Sequence, residues 1–232
     1  MSNDVLVIVP VCNEEKNLPY VIDNLSKNLP KYIDVLFIDD GSLDNSLEII
    51  NKSNHKYLIN EKNEGYHYTI KRGIRYAYEN KYKYVITFDS DGQHDAKYIE
   101  EIVETIESNN SNIVIGSRYL YKINEKSKIK KIAIKLSNKV IKKFCNSNIK
   151  DPTSGFRCYD RLTMEMLIEE KEKNYELSFL MKLVKKGIKI EEIEIETKSR
   201  ISGKSIIFEN NFKKVKYAFN ALFSCIKVIK EN

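Results

Sequence analysis

The 232 residues carry 39 Lys and Arg against 33 Asp and Glu, a net charge of +6, with 42% hydrophobic and 31% charged side chains. Eight Gly and four Pro complete a composition that excludes disordered, collagen-like and low-complexity chains and suffices for one generous domain with a buried core. No apolar run approaches the roughly 18 to 20 residues of a spanning helix, and the start of the chain lacks the basic stretch and small-residue cleavage site of a secretory signal.

Val5 to Val9 is a continuous apolar run closed by Pro10, as expected of a strand buried on both faces and ending at a loop. Leu18, Val21, Ile22 and Leu25 follow at helical spacing, and Val35 to Ile38 reads as a second buried strand. Beyond Asp39, Asp40 and Gly41, a helix capped at Ser42 is expected to carry Leu43, Leu47 and Ile50. Tyr57 to Ile59, Tyr84 to Phe88 and Ile113 to Ile115 are further strands, alternating with helices over 65–79 and 98–106. This is βα punctuation, and it implies a mostly parallel sheet with helices on its faces.

The second half is less regular. From Lys128 to Lys150 lysine is the only charged residue type, and Ile129, Ile132, Ala133, Leu136, Val140 and Phe144 share one helical side. A loop through Asp151, Pro152 and Gly155 precedes helices over 162–168 and 176–185 and an alternating strand over 188–195. A last amphipathic helix from Phe212 bears Lys213, Lys214, Lys216, Lys227 and Lys230. Its ordinary reading, and that of the segment at 129–144, is a core-facing helix with a solvated lysine face; the other is contact with an anionic membrane leaflet.

The ligand crevice of a parallel α/β sheet lies beyond the carboxyl ends of the strands. Three loops there are acidic: Pro10-Val11-Cys12-Asn13-Glu14, Asp39-Asp40-Gly41-Ser42 and Asp89-Ser90-Asp91-Gly92-Gln93-His94. Acids at strand ends also serve as caps and turn formers, but three such loops together need cations to offset their repulsion. Asp89 and Asp91 can present oxygens to one hard divalent ion, Mg²⁺ or Mn²⁺, held by one or two carboxylates plus substrate phosphates. There is no glycine-rich phosphate loop, so metal and Arg or Lys would have to neutralise a diphosphate.

Cys12 has no adjacent base to activate it, and Cys12, Cys145, Cys158 and Cys225 contain no CxxC pair. With only three His, neither a structural zinc site nor a disulfide framework is expected, which fits reduced thiols in a cytoplasmic protein. His94 is equally a phosphate contact or a partner of a neighbouring acid. Tyr66, Tyr68, Tyr76 and Tyr78 read as packing and surface residues, and the acidic loops argue against nucleic acid.

Together VIVPVCNEEKNL, FIDDGSLDNS, FDSDGQHDAKYI, IGSRY and DPTSGFRCYDR resemble family 2 glycosyltransferases, most of all the polyprenyl-phosphate (dolichol-phosphate) sugar synthase branch. The likeness runs from about Val5 to about Ser205. It implies a GT-A fold, a nucleotide-sugar donor, inversion at the anomeric carbon and a divalent cation; the catalytic domain is then expected over residues 1–205, and the basic amphipathic helix read from the apolar spacing occupies 206–232. By resemblance, Pro10, Cys12, Glu14, an acid of the Asp39/Asp40 pair, Asp89 and Ser90 would hold the nucleotide sugar, and Asp89, Asp91 and Gln93 would surround the metal. Asp91, Arg118 and Arg200 would serve catalysis.

Two departures stand out. Cys12 replaces the usual aromatic residue, so stacking on the base is not carried over there, and Arg200-Ile201-Ser202-Gly203-Lys204-Ser205-Ile206 lacks Lys after the serine of an RxxGxSK-like motif.

Loss of a diphosphate builds negative charge that metal and arginine would offset. A lipid-phosphate acceptor is already ionised, whereas a hydroxyl acceptor needs a base, for which Asp151 and Glu176 are the candidates. Asp151 reads more simply as a turn residue and Glu176 as a helix-start charge. Transfer to polyprenyl phosphate at the inner face of a membrane is the leading expectation. A hydroxyl acceptor in polysaccharide or glycolipid synthesis, and a non-catalytic nucleotide-sugar binder, remain as alternatives.

Overall fold

The computed structural model describes residues 4–121, 128–170, 177–200, 202 and 228. The strands β1 (Val5–Val11), β2 (Ile33–Asp39), β3 (Lys56–Ile59), β4 (Tyr84–Thr87), β5 (Ile113–Ser117), β6 (Arg157–Asp160) and β7 (Ile190–Glu194) form one sheet in the order β3-β2-β1-β4-β6-β5-β7. All pairings are parallel except those of β6, which runs antiparallel to both β4 and β5. The helices are α1 (Leu18–Asn28), α2 (Ser46–Lys52), α3 (Tyr66–Glu79), α4 (Ile99–Ser108), α5 (Lys128–Cys145), α6 (Arg161–Glu169) and α7 (Leu177–Lys185). This is the expected mostly parallel α/β sheet.

Every residue of β1 is buried, and its side chains alternate between two cores. Val5, Val7, Val9 and Val11 pack with Leu18, Val21 and Leu25 of α1 and with Ile99, Ile102 and Ile106 of α4. Leu6 and Ile8 face the other side, with Ile74 and Ala77 of α3 and Met164 and Leu167 of α6. A strand covered on both faces has no polar side to alternate with, which is why it reads as an unbroken apolar run. Each such side chain withdrawn from water contributes roughly 1.5–3 kcal/mol.

Several expectations change. Pro10 does not end β1, which continues to Val11. The Ile8 carbonyl accepts from Phe88 of the chain after β4, and the Val11 carbonyl from Asp40 of the chain after β2. Alternation therefore turns Pro10 toward the β4 side, where that strand has already ended at Thr87 and no ladder bond needs its missing N–H. Helix α2 begins at Ser46 instead of Ser42, and Leu43 is 95% exposed, because residues 42–45 are used to fasten the β1 loop.

Strand β6 was not expected. Its Arg157 is buried, with Nε donating to the Ser154 carbonyl and an Nη to that of Pro152, so a charged residue stands inside a short strand and breaks the apolar signal. On α5 the side turned to the core is that of Ile134 and Ile141, while Ile132, Leu136 and Phe144 are exposed. The C-terminal helix expected over 206–232 lies outside the described residues apart from Val228, which is buried and whose carbonyl accepts from Lys185 Nζ at 2.9 Å.

Candidate active site

The loops after β1 and β2 are fastened to one another. The Asn13 N–H donates to Ser42 Oγ (3.0 Å), the Leu43 N–H to Asn13 Oδ1 (2.7 Å), the Glu14 N–H to Ser46 Oγ (2.9 Å) and the Glu15 N–H to Asp44 Oδ2 (3.1 Å). Asn13 adopts φ 56°, a left-handed conformation that Asn tolerates better than most residues. Gly41 has φ +64°, and a Cβ there would lie 2.6 Å from the Lys62 backbone, so only glycine fits between the two segments.

The two acids that end β2 have separate duties. Asp40 Oδ1 accepts from Asn60 Nδ2 (2.7 Å) and the Glu64 N–H (2.9 Å), and its Oδ2 from the Gly65 N–H (2.9 Å), which pins the loop leading into α3. Asp39 is 2% exposed; its Oδ2 accepts from the Ser42 N–H, and its Oδ1 is buried without a partner. Cys12 Sγ accepts from Asn63 Nδ2 at 3.0 Å. Burial, reinforced by Asp40, raises the thiol pKa and keeps it protonated, in line with an unreactive Cys12.

Beyond β4, Ser90 Oγ donates to the Pro10 carbonyl (2.7 Å) and so draws the third acidic loop against the first. Asp89 Oδ1 accepts from the Tyr66 hydroxyl (3.0 Å), and Asp89 Oδ2 lies 3.4 Å from Nε2 of the buried His94. Burial alone would raise the Asp89 carboxyl, but His94, Tyr66 and the more distant Arg118 hold it below the usual range. Asp91 goes the other way: burial and the charge of Asp89 raise it. Its Oδ1 accepts from the Gln93 N–H, and the Gln93 side-chain amide donates to the Lys198 carbonyl at 3.3 Å.

Among the described residues no group of three His, Cys, Asp or Glu side chains forms a metal cage. Two carboxylates that repel each other fit an open site for Mg²⁺ or Mn²⁺ in which ligand phosphates complete the coordination.

Two arginines border these acids. Residues 196–200 are held down by Lys198, whose Nζ reaches Tyr20 Oη (2.8 Å) and Asp95 Oδ2 (3.2 Å) and whose N–H donates to the Gln93 carbonyl. This brings Arg200 onto Glu14, with Nη2 on Glu14 Oε1 and a buried Nε that has no partner. Asn17 donates to the other Glu14 oxygen. Burial, aided by Asp91, raises the Glu14 carboxyl despite Asn17 and Arg200.

Arg118 donates from its backbone N–H (3.1 Å), Nε (2.7 Å) and Nη2 (2.9 Å) to Asp151, and from Nη2 to Thr153 Oγ1 (3.0 Å). Asp151 is fully buried; burial would raise its carboxyl, and Arg118 overrides that and holds it low. Asp151 is therefore a fixed partner of Arg118, which corrects its reading as a candidate base. Glu192 in turn accepts from the Lys150 (2.7 Å) and Asp151 (2.9 Å) N–H groups. Glu176 lies outside the described residues.

The sheet thus gathers Pro10, Cys12, Glu14, Asp39, Asp40, Asp89, Ser90, Asp91 and Gln93 at one edge, with Arg118 and Arg200 alongside. Tyr66, expected to be a packing or surface residue, is instead a donor to Asp89, and Asn60, Asn63 and Glu192 were missed, because nothing in the local sequence marks a side chain as the partner of a remote carboxylate, thiol or backbone N–H. The architecture is that of the GT-A glycosyltransferases. The chain belongs to glycosyl transferase family 2, whose model matches residues 6–167.

An uncharacterized protein of Methanocaldococcus jannaschii is 31% identical over 201 residues, 84% of this chain and 82% of that one. The UDP-N-acetylglucosamine–dolichyl-phosphate N-acetylglucosaminyltransferase of Methanococcus voltae is 28% identical over 217 residues, 83% of this chain and 85% of the relative. Glucosyl-3-phosphoglycerate synthase of Mycobacterium tuberculosis, crystallised with Mn²⁺, UDP and glucosyl-3-phosphoglycerate, superposes with a TM-score of 0.74 at 14% identity. That alignment covers 98% of this chain and 80% of the synthase, and it speaks for the fold.

Proposed function

We propose that this protein is an inverting glycosyltransferase that moves a sugar from a nucleoside diphosphate to a polyprenyl phosphate at a membrane surface. The observation that carries the acceptor class is the Arg118–Asp151 pair. A hydroxyl acceptor needs a general base, and of the two candidates Asp151 has no exposure and is held ionised against a guanidinium, while Glu176 lies outside the described residues. A phosphate acceptor arrives ionised, and the arginine that Asp151 orients is suited to receive it.

On the donor side, Asp39 offers an unpartnered oxygen to a hydroxyl or N–H of the nucleoside, while Asp40 maintains the loop around it. Asp89 and Asp91, with Gln93 beside them, are the residues that would hold Mg²⁺ or Mn²⁺; the ion would neutralise the departing diphosphate. Arg200, released from Glu14, adds a second positive charge where negative charge develops. The name of the Methanococcus voltae relative supports the acceptor class.

The test is a donor screen with radiolabelled UDP-N-acetylglucosamine, UDP-glucose and GDP-mannose, with and without polyprenyl phosphate and Mn²⁺. Label extractable into organic solvent only when both are present is the expected result. Transfer to a water-soluble sugar hydroxyl instead would select the other acceptor class, and nucleotide-sugar binding without transfer would make the protein a binder.

A further inference from the structure

Arg118 is held by a segment that is itself held from two sides. Glu192 of β7 and Arg157 of β6 both pair with Ile115 of β5, so the two charged residues stand in one row across the sheet, flanking the strand that leads to Arg118. From residue 151 to 159 only Thr153 is exposed and only Gly155 half-buried. Backbone buried in this way needs partners, and the two side chains supply them. Glu192 accepts from the Lys150 and Asp151 N–H groups, while the Arg157 guanidinium donates through Nε to the Ser154 carbonyl and through Nη2 to the Pro152 carbonyl, both at 2.7 Å. The Gly155 carbonyl accepts from Thr87 Oγ1 of β4.

The segment meets the site twice. At one end Asp151 and Thr153 Oγ1 receive the Arg118 guanidinium, and the Thr153 hydroxyl donates in turn to Asp151 Oδ1 (3.0 Å). At the other end Gly155 lies against Asp89, where a Cβ would come within 2.8 Å of Oδ2.

We infer that Glu192 and Arg157 are positioning residues for transfer: through segment 150–157 they set the separation of Arg118 from the Asp89 carboxylate, and with it that of the acceptor phosphate from the metal-bound diphosphate. The purpose rests on the reading of Arg118 as the residue that receives the acceptor; the clamp does not. A displacement of about 1 Å between reacting groups can lower a rate about 100-fold, so an arginine meant to aim one phosphate at a sugar held by another gains from a rigid mount. Holding the strands together would require neither charge, because the ladders of β5 with β6 and β7 already do so. Apolar side chains would serve there, since charge withdrawn from water is costly unless it is fully bonded.

The experiment begins with Glu192→Gln in the full chain, which leaves one accepting oxygen for two N–H groups. Transfer to polyprenyl phosphate should lose about tenfold in kcat/KM for the acceptor, with the donor KM within about twofold of the wild type and circular dichroism retained. In an Arg118→Lys background the same change should cost less than about twofold, because the contact it adjusts is already gone. Arg157→Lys, which has no fork to span two carbonyls, is the second variant; it should impair acceptor kinetics and also weaken the response to Mn²⁺, since it frees Ser154 beside Gly155.

A readout without substrate is the Arg118 Nε–H resonance in protein carrying isotope-labelled arginine, assigned by its disappearance in Arg118→Lys. Its exchange with water should be slow in the wild type and about tenfold faster or more in Glu192→Gln. Donor and acceptor KM rising equally in Glu192→Gln, or the full loss repeated in the Arg118→Lys background, would make Glu192 a general support of the fold and overturn the inference. Wild-type exchange as fast as that of a surface arginine would overturn it too. The two proposals fail separately. A wild type that does not transfer to polyprenyl phosphate, with a resonance that still responds to Glu192→Gln, removes the acceptor reading and keeps the clamp; transfer with an unresponsive resonance and unaltered acceptor kinetics does the reverse.

Discussion

Asp151 receives three hydrogen bonds from Arg118 while wholly removed from solvent, and Glu192 holds the turn that presents it. Removing the carboxylate strands a guanidinium that is itself only 29% exposed. Asp151→Ala should destabilise the fold by about 3 kcal/mol, the low end for a broken buried pair because Arg118 keeps some solvent contact. Arg118→Lys restores the charge but cannot make the two-pronged contact, and should lose at least about tenfold in kcat/KM. Urea titration and steady-state kinetics on the two variants check both statements.

The same pair gives a pH dependence. The folded-state pKa of Asp151 is depressed, so its stabilisation is complete above the unfolded value, near 3.9, and disappears as pH falls through the lower folded value. Asp151→Asn should flatten the acid limb of a plot of stability against pH in that window. An unchanged acid limb would mean that other carboxylates govern acid unfolding.

Asp91 presents the opposite sign. Its carboxyl is raised by burial and by Asp89, so the ionised form is disfavoured when no cation is present. Asp91→Asn should raise the melting temperature of the metal-free protein while transfer collapses. Added Mn²⁺ with a nucleotide sugar should stabilise the wild type and leave the variant where it was. A melting temperature that falls in the metal-free variant would contradict the repulsion on which this rests.

How far the sequence was legible follows from what each signal depends on. The two-sided burial of β1 shows as an apolar run, and the acids beyond β1, β2 and β4 stand where a parallel sheet opens. Helix α5 shows the limit. Its length follows from its apolar spacing, but the spacing is met by two sides, and the choice of Ile134 and Ile141 as the core side depends on tertiary neighbours. Asp39 and Asp40 differ only in which loop their oxygens reach, and Arg157 hid β6 because its backbone acceptors lie in the preceding turn. Such pairings are made across the fold, where no local pattern reaches.

Gly155 approaches the carboxylate that receives the Tyr66 hydroxyl. A Cβ at Gly155 would lie 2.8 Å from Asp89 Oδ2 and 3.2 Å from Tyr66 Oη. Gly155→Ala should therefore displace Asp89 at a cost of about 1–3 kcal/mol in stability, with a weaker response to Mn²⁺. Tyr66→Phe removes one donor to Asp89 without filling space, and should weaken the Mn²⁺ response alone. Equal losses of stability in both variants, measured by thermal unfolding, would count against a steric role for Gly155.

Asp39 and Asp40 can be separated by asking which is needed to fold and which to bind. Asp40 takes two backbone N–H bonds and one from Asn60, all within the fold, so Asp40→Ala deprives two part-buried backbone donors and one buried amide of this acceptor, the amide keeping Thr69 Oγ1. A fully buried unsatisfied donor costs roughly 1–3 kcal/mol and a part-buried one less, so the protein should lose stability whether or not donor is present. Asp39 makes one bond, to the Ser42 N–H, and keeps Oδ1 unpartnered. Asp39→Asn should leave the melting temperature close to the wild-type value and raise the donor KM about tenfold or more, as expected when a buried acceptor for the nucleoside is replaced by a mixed donor and acceptor. Thermal unfolding of both variants with and without nucleoside diphosphate distinguishes the roles: ligand should shift the wild type and fail to shift Asp39→Asn. A stable Asp40→Ala with an impaired KM, beside an Asp39→Asn that binds normally, would exchange the two assignments.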